Sequence, residues 1–151
     1  MSRTAVATAA VLLVFRSVIA EAQAPSASNG IRVDERGLRN GRGGVDCYLF
    51  DSADGFPGEL GKAVKRVVAP IAGTGATCRF DAAPPGAYAV AVVHDEKGTG
   101  KLERNVVGIP TNGVGVSNDA PGHFGPPSFA AARFTYAGGE KTLVVHVRYL
   151  L

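Results

Sequence analysis

Residues 87–93, Ala87-Tyr88-Ala89-Val90-Ala91-Val92-Val93, are apolar without interruption. The run is far too short to cross a bilayer as a helix, which takes about 20 residues. It follows the turn Pro84-Pro85-Gly86, where proline suits the second position of a type II turn and glycine the third. It ends at the polar pair His94-Asp95. A short apolar run between turn signals reads as a central strand covered on both faces. The chain must therefore supply covering layers for it. The small Ala87, Ala89 and Ala91 are expected to let a facing sheet come close.

The other segments read as short strands. Ile31 and Val33 alternate with Arg32 and Asp34, and residues 44–50 (GVDCYLF) place Val45, Cys47 and Leu49 on one face. Residues 63–71 form a third strand in which Pro70 marks an edge or an end. Residues 77–81 form a fourth, with Ala76, Cys78 and Phe80 sharing a face. Residues 129–136 (FAAARFTY) read as a strand, with a helix as the alternative for the alanine run, and residues 141–149 place Leu143, Val145, Val147 and Tyr149 on one face. About seven short strands punctuated by glycine and proline predict an all-β fold, a single antiparallel β-sandwich. The lengths of chain left as long loops are 95–105 and 110–127.

At the start, Arg3 precedes the apolar residues 5–15 (AVATAAVLLVF), and Ala22-Gln23-Ala24 is a small-x-small cleavage site. We expect residues 1–24 to be a signal peptide, 25–29 (PSASN) a linker and 30–151 the sandwich domain. Losing Arg3, Arg16 and Glu21 takes the net charge from +3 to +2. That small charge, the scattered lysines and arginines, and the lack of tryptophan argue against a nucleic-acid surface. The one local basic cluster, Lys62, Lys65 and Arg66, reads as a solvated strand face. The expected location is periplasmic or extracellular, with no stable membrane insertion after cleavage. In an exported chain the two cysteines, Cys47 and Cys78, favour a disulfide, with buried free thiols as the alternative. Closing a loop of that length stabilises by ~3–4 kcal/mol in the chain-entropy model.

Candidate chemistry gathers around the break at His94. Asp95, Thr99 and Glu103 stand near a glycine turn as oxygen ligands do in calcium loops. However, Lys97 puts an ammonium at a ligand position and Val106 takes the twelfth. The competing reading is a turn in which Asp95 accepts from loop amides while Gly98 and Gly100 adopt positive φ. A hydrolase would pair His94 with Ser117 or Asp119, but the sequence around Ser117 lacks the glycine of a nucleophile elbow. His94, His123, Asp119 and His146 show no metal-ligand spacing. Gly113-Val114-Gly115 has no following helix start to cradle a phosphate. No cofactor motif is present.

The strings LFDSADGFP, FDAAPPGAYAVAVVHDEKGTGKLERNVVGIPTNGVGVSND and FGPPSFAAARF resemble a bacterial exported family known as domain of unknown function 2141, over residues 31–149. The resemblance implies a prealbumin-like (transthyretin-like) β-sandwich behind a signal peptide, and no activity. The family's loop reads roughly H-D-E-N-x-N-G-K-x-D. His94, Asp95, Glu96, Gly100 and Lys101 match it, whereas Lys97, Thr99 and Glu103 depart from it. The resulting expectation is a non-catalytic binding or structural module of the cell envelope with an envelope ligand or protein as partner. Its binding-loop candidates are His94, Asp95, Glu96, Thr99, Glu103, Asn105, Ser117 and Asn118. The alternatives are a weak calcium-binding carbohydrate- or protein-recognition domain and the hydrolase.

Overall fold

The structure is a computed structural model and describes residues 29–151. The expected signal peptide (1–24) and all but the last residue of the expected linker lie outside the described residues.

The apolar run 87–93 lies inside the longest strand, Gly86–Asp95, which is the sixth in chain order. Before it come β1 (Gly30–Arg36), β2 (Gly44–Phe50), β3 (Lys65–Ala69), β4 (Ile71–Ala72) and β5 (Gly75–Asp81). After it, as β6, come β7 (Gly113–Val116), the one-turn helix α1 (Phe129–Ala132), β8 (Phe134–Tyr136) and β9 (Glu140–His146). One sheet has the order β4-β5-β1-β9 and the other β3-β2-β6-β7, with β8 paired to the start of β6. All pairs are antiparallel except β1 with β9, which run parallel. The fold is thus an all-β sandwich. Pro70 sits where the chain leaves the second sheet at β3 and enters the first at β4. A residue with no N–H to offer suits that corner.

Between the sheets lies the main core, built from Ile31 and Val33 of β1, Cys47 and Leu49 of β2, Cys78 and Phe80 of β5, and Val90 and Val92 of β6. Cys47 and Cys78 are joined by a disulfide that ties β2 to β5 across this core. The opposite face of the second sheet is apolar too. There Tyr48, Phe50, Ala89, Ala91 and Val93 meet Phe56, Leu60, Leu102 and Phe129 from outside the sheets. Phe56 stands edge-on between Phe50 and Phe129, with ring centres 5.3 and 5.8 Å apart. β6 is therefore covered on both faces, as its composition demands.

Three sequence expectations need correction. The alanines of β6 do not face the other sheet. Tyr88, Val90 and Val92 do, while Ala89 and Ala91 lie under the loops and α1. Close approach of the first sheet comes from Gly113 and Gly115 of β7 instead. A Cβ on Gly113 would lie 2.5 Å from the Tyr149 ring, and one on Gly115 would lie 2.7 Å from Val145. Those glycines belong to a strand hidden in the stretch 110–127, which was expected to be all loop. The strand exists because it pairs with β6 from Ala91 to His94. Finally, residues 129–136 split into helix and strand. The Ser128 hydroxyl accepts from the Ala131 amide at 3.2 Å and caps a single helical turn before β8 begins.

Past β9 the chain stays ordered. The Val147 amide still donates to the Arg36 carbonyl, and then Arg148 exchanges both backbone hydrogen bonds with Val114. The end of the chain thereby covers the outer edge of β7 and links the two sheets.

Candidate functional site

The polar side chains from His94 to Thr99 are engaged with the protein itself. His94 has no exposed surface. Its Nε2 lies 2.9 Å from the Arg42 carbonyl oxygen, which can only accept, so Nε2 carries the hydrogen. Nδ1 then accepts from the Tyr149 hydroxyl at 2.6 Å, and that hydroxyl accepts in turn from the Arg39 amide at 3.0 Å. Glu96 accepts from Asn40 at 3.1 Å, Arg42 at 2.8 Å and Arg39 at 2.6 Å. Asn40 leads these donors, which outweigh the cost of burial and hold the carboxyl at about 2. The strand end is thus clamped to residues 39–42.

The next turn closes on Asp95. Its carboxylate accepts from the Gly100 amide at 2.5 Å and from the Thr99 hydroxyl at 3.5 Å. Burial raises its pKa, but the amides of Gly100, Thr99, Lys97 and Gly98 more than offset this and hold the group low. Gly98 and Gly100 have φ of 68° and 66°. The hydrogen-bonded turn expected as the rival to calcium is therefore present. Of the three calcium candidates, Asp95 and Thr99 come together, while Glu103 is held 2.8 Å from the Lys97 ammonium. The Glu103 amide also donates to Asn112 at 2.6 Å. Asn105 accepts from the amides of Val107 and Ile109 at 3.1 and 2.9 Å and shapes the next bend.

Ser117 and Asn118 do the same work farther on. The buried Ser117 hydroxyl accepts from the Val90 amide at 2.9 Å and donates to the Ala132 carbonyl at 2.6 Å. Asn118 donates to the carbonyls of Ala131 and Arg133. Together they pin α1 to β6. Asp119 accepts from the His146 amide at 2.8 Å and pairs with its Nδ1 at 2.6 Å. Burial pushes the Asp119 carboxyl up, and the His146 amide and ring pull it below its ordinary value. The hydrolase grouping is not assembled, because His94, Ser117 and Asp119 each bond to other residues. The strand itself keeps them apart: Val90 and His94 are four residues apart on β6, roughly 13 Å at a strand's rise.

An open site lies where the covering of the second sheet stops. By register Ala91 sits beside Val116 and Val93 beside Val114, so these four share the outer face and form an apolar floor. Over it opens a cleft of about 680 Å³. One wall comes from residues 102–110, with Leu102, Arg104, Val107 and Ile109, and the other from 120–127, with Pro121, Pro126 and Pro127. His146, Arg148 and Leu150 of the closing segment complete it. Among the described residues, no aspartate or glutamate lines the cleft. The arginines that form ion pairs, Arg32, Arg39, Arg42, Arg66 and Arg79, all lie elsewhere. Arg104 donates to the Gly108 carbonyl at 2.9 Å, and Arg148 lies near enough for its charge to help depress Asp119. Neither forms an ion pair with a carboxylate among the described residues.

None of the eight binding-loop candidates lines this cleft. The two long loops do meet there, through Leu102 and Arg104 of one and Pro121, Pro126 and Pro127 of the other. The available signal was Val106-Val107 and Ile109, apolar side chains in a loop with nothing to bury against.

A second feature escaped the sequence reading. Continuing the alternation of Ile31 and Val33 places Glu35 in the main core, where it is 1% exposed. Its Oε1 lies 3.0 Å from Cys47 Sγ. A disulfide sulfur has no hydrogen, so the proton in that contact is the carboxyl's own. Oε2 has no partner. Burial pushes the group up to about 7, against the pull of the Glu35 and Cys78 amides. Glu35, Cys47 and Cys78 are also the one set of three ligand-type residues within 4.8 Å of one another among the described residues. Sulfurs tied in a disulfide are not the thiolates that bind metals.

Among the described residues, no helix is long and apolar enough to cross a membrane. No curated protein and no solved structure matches the chain. A family described as uncharacterized protein conserved in bacteria matches residues 33–144, from the second inward position of β1 to the middle of β9. That match takes in the disulfide, the clamped turn and most of the cleft, and the chain belongs to this family, domain of unknown function 2141.

Proposed function

We propose that the protein is a non-catalytic binding module of the cell envelope and that its ligand site is the cleft over Ala91, Val93, Val114 and Val116. The observation that carries this reading is the cleft's construction. An apolar floor lies between walls that carry Leu102, Val107, Ile109 and three prolines, with Arg104 and Arg148 as the arginines of the lining. A volume of about 680 Å³ falls within the ~300–1,000 Å³ range of small-molecule sites. Prolines at 121, 126 and 127 stiffen one wall, so little ordering entropy is lost on binding. The disulfide across the core accords with an oxidising compartment, and the leader read at 1–24 accords with export.

The neutral apolar fluorophore phenylnaphthylamine tests the site. Its emission should rise saturably with the purified chain at one site per molecule. Val107→Asp and Ile109→Asp, which place carboxylates on exposed positions of the wall, should weaken binding at least tenfold with the melting temperature kept. Absence of saturable binding, or binding that both variants leave unchanged, contradicts the reading. For the location, fractionation of the native cell with mass measurement of the chain's first residue decides. A cytoplasmic, unprocessed chain contradicts it.

A further inference from the structure

We infer that the cleft takes an amphipathic anion, an aliphatic chain carrying a single carboxylate or phosphate head. This inference rests on the cleft being the ligand site and adds the chemistry of what fills it. Three observations select that class.

The first is charge. Arg104 and Arg148 line the cleft, no acidic side chain does, and neither arginine is in an ion pair among the described residues. A cationic ligand meets no carboxylate on the lining, whereas an anion meets guanidinium groups suited to fork-like, two-bond pairing with a carboxylate or phosphate. The remaining titratable group on the lining, His146, has its Nδ1 committed to Asp119. That contact fixes the ring, and the Asp119 carboxylate that makes it is not itself on the lining.

The second is the scarcity of hydrogen-bonding groups along the body of the cleft. Its floor consists of alanine and valine side chains on paired strands. Pro57, Pro110, Pro121, Pro126 and Pro127 line it as well and have no N–H to give. An uncharged sugar would bury hydroxyls against such walls without partners, which costs binding free energy for each group. An aliphatic chain needs no partners.

The third concerns the sheet edge. A peptide bound as an added strand needs a free edge, and β7 is the outermost strand beside the cleft. At Val114 that edge is already taken, because Arg148 of the closing segment gives and receives both backbone hydrogen bonds at 2.8 Å. The edge therefore selects against an extended peptide. The ligand that remains buries an apolar tail on the floor and keeps its charged end with the arginines.

Isothermal titration of the purified chain decides, with dodecanoate, dodecyl phosphate, dodecanol and butyrate, each below its aggregation concentration. Dodecanoate or dodecyl phosphate should bind at least tenfold more tightly than dodecanol, and butyrate should not bind measurably. The better of the two anions then identifies the source of the head, a free fatty acid or a phosphate ester. Arg104→Gln with Arg148→Gln should bring the anions down to the level of dodecanol, and raising salt from about 0.05 to about 0.5 M should weaken only the anions. Equal affinity for anion and alcohol overturns the anionic head. No binding of any twelve-carbon ligand overturns the aliphatic tail. Either failure leaves the phenylnaphthylamine result standing, so loss of this inference is distinguishable from loss of the site.

Discussion

The turn after β6 and the cleft beside it share a stretch of chain but use their polar groups in opposite ways. From His94 to Asn105 each of the binding-loop candidates has a partner within the protein. In the cleft, Arg104 and Arg148 face an apolar floor without a carboxylate to pair with. Glu35 shows what burial does to a carboxyl with one unpartnered oxygen, since it holds its proton up to about pH 7. Partly solvated arginines are under no such penalty and remain available. Conspicuous residues can thus be structural, and the open chemistry can sit among plain ones.

The largest effect expected on the stapled side is from His94→Ala. It empties a fully buried position and leaves the Arg42 carbonyl without its donor and the Tyr149 hydroxyl without its acceptor, for a loss of about 4 kcal/mol. Urea unfolding measures it. A loss under about 1 kcal/mol would mean that the clamp is not needed for the fold.

Next comes Glu35. Its folded pKa of about 7 lies above its ordinary value of 4.5, so the native state holds a proton that the unfolded chain releases. Stability is therefore fully present below about 4.5 and falls as pH rises through about 7, by roughly 3 kcal/mol in total. Glu35→Gln should flatten unfolding free energy across that window. An unchanged slope would show that the carboxyl is not the group responsible.

Glu96 runs the other way and is smaller. Held at about 2, it contributes stability that is present above about 4.5 and lost as pH falls through about 2. Its partners are partly solvated, so Glu96→Gln should cost about 1–2 kcal/mol at neutral pH. The variant should also unfold with a shallower acid limb. If the acid limb is the same in both proteins, the clamp on residues 39–42 does not act through this charge.

Much of the fold was legible because it follows from period and punctuation. The two-faced apolarity of β6, the inward cysteines and the strand end at Pro70 all came from residue order alone. β7 was not, since Gly113-Val114-Gly115-Val116 has little strand preference of its own and forms through its pairing with β6. The helical turn at 129–132 depends on a single serine cap that an alternating pattern does not reveal. The covered face of Ala89 and Ala91 was assigned to the wrong layer, because alternation says which residues share a face but not what lies over it. For the site, sequence reasoning marked the polar residues and had no means of knowing that they would satisfy one another. An arginine's lack of a partner is a property of the folded chain. Glu35 was within reach, two residues beyond Val33 on the same strand, and needed only the alternation carried one step farther.

The central claim is that the cleft, rather than the polar turn, is where the protein binds. It is tested most directly by titrating phenylnaphthylamine into the wild-type chain, Val107→Asp and Glu96→Gln while following thermal unfolding of each. The account predicts that Val107→Asp loses at least tenfold in affinity with stability within about 0.5 kcal/mol of wild type, and that Glu96→Gln loses stability and keeps its affinity. Full affinity in Val107→Asp together with lost affinity in a folded Glu96→Gln would contradict it.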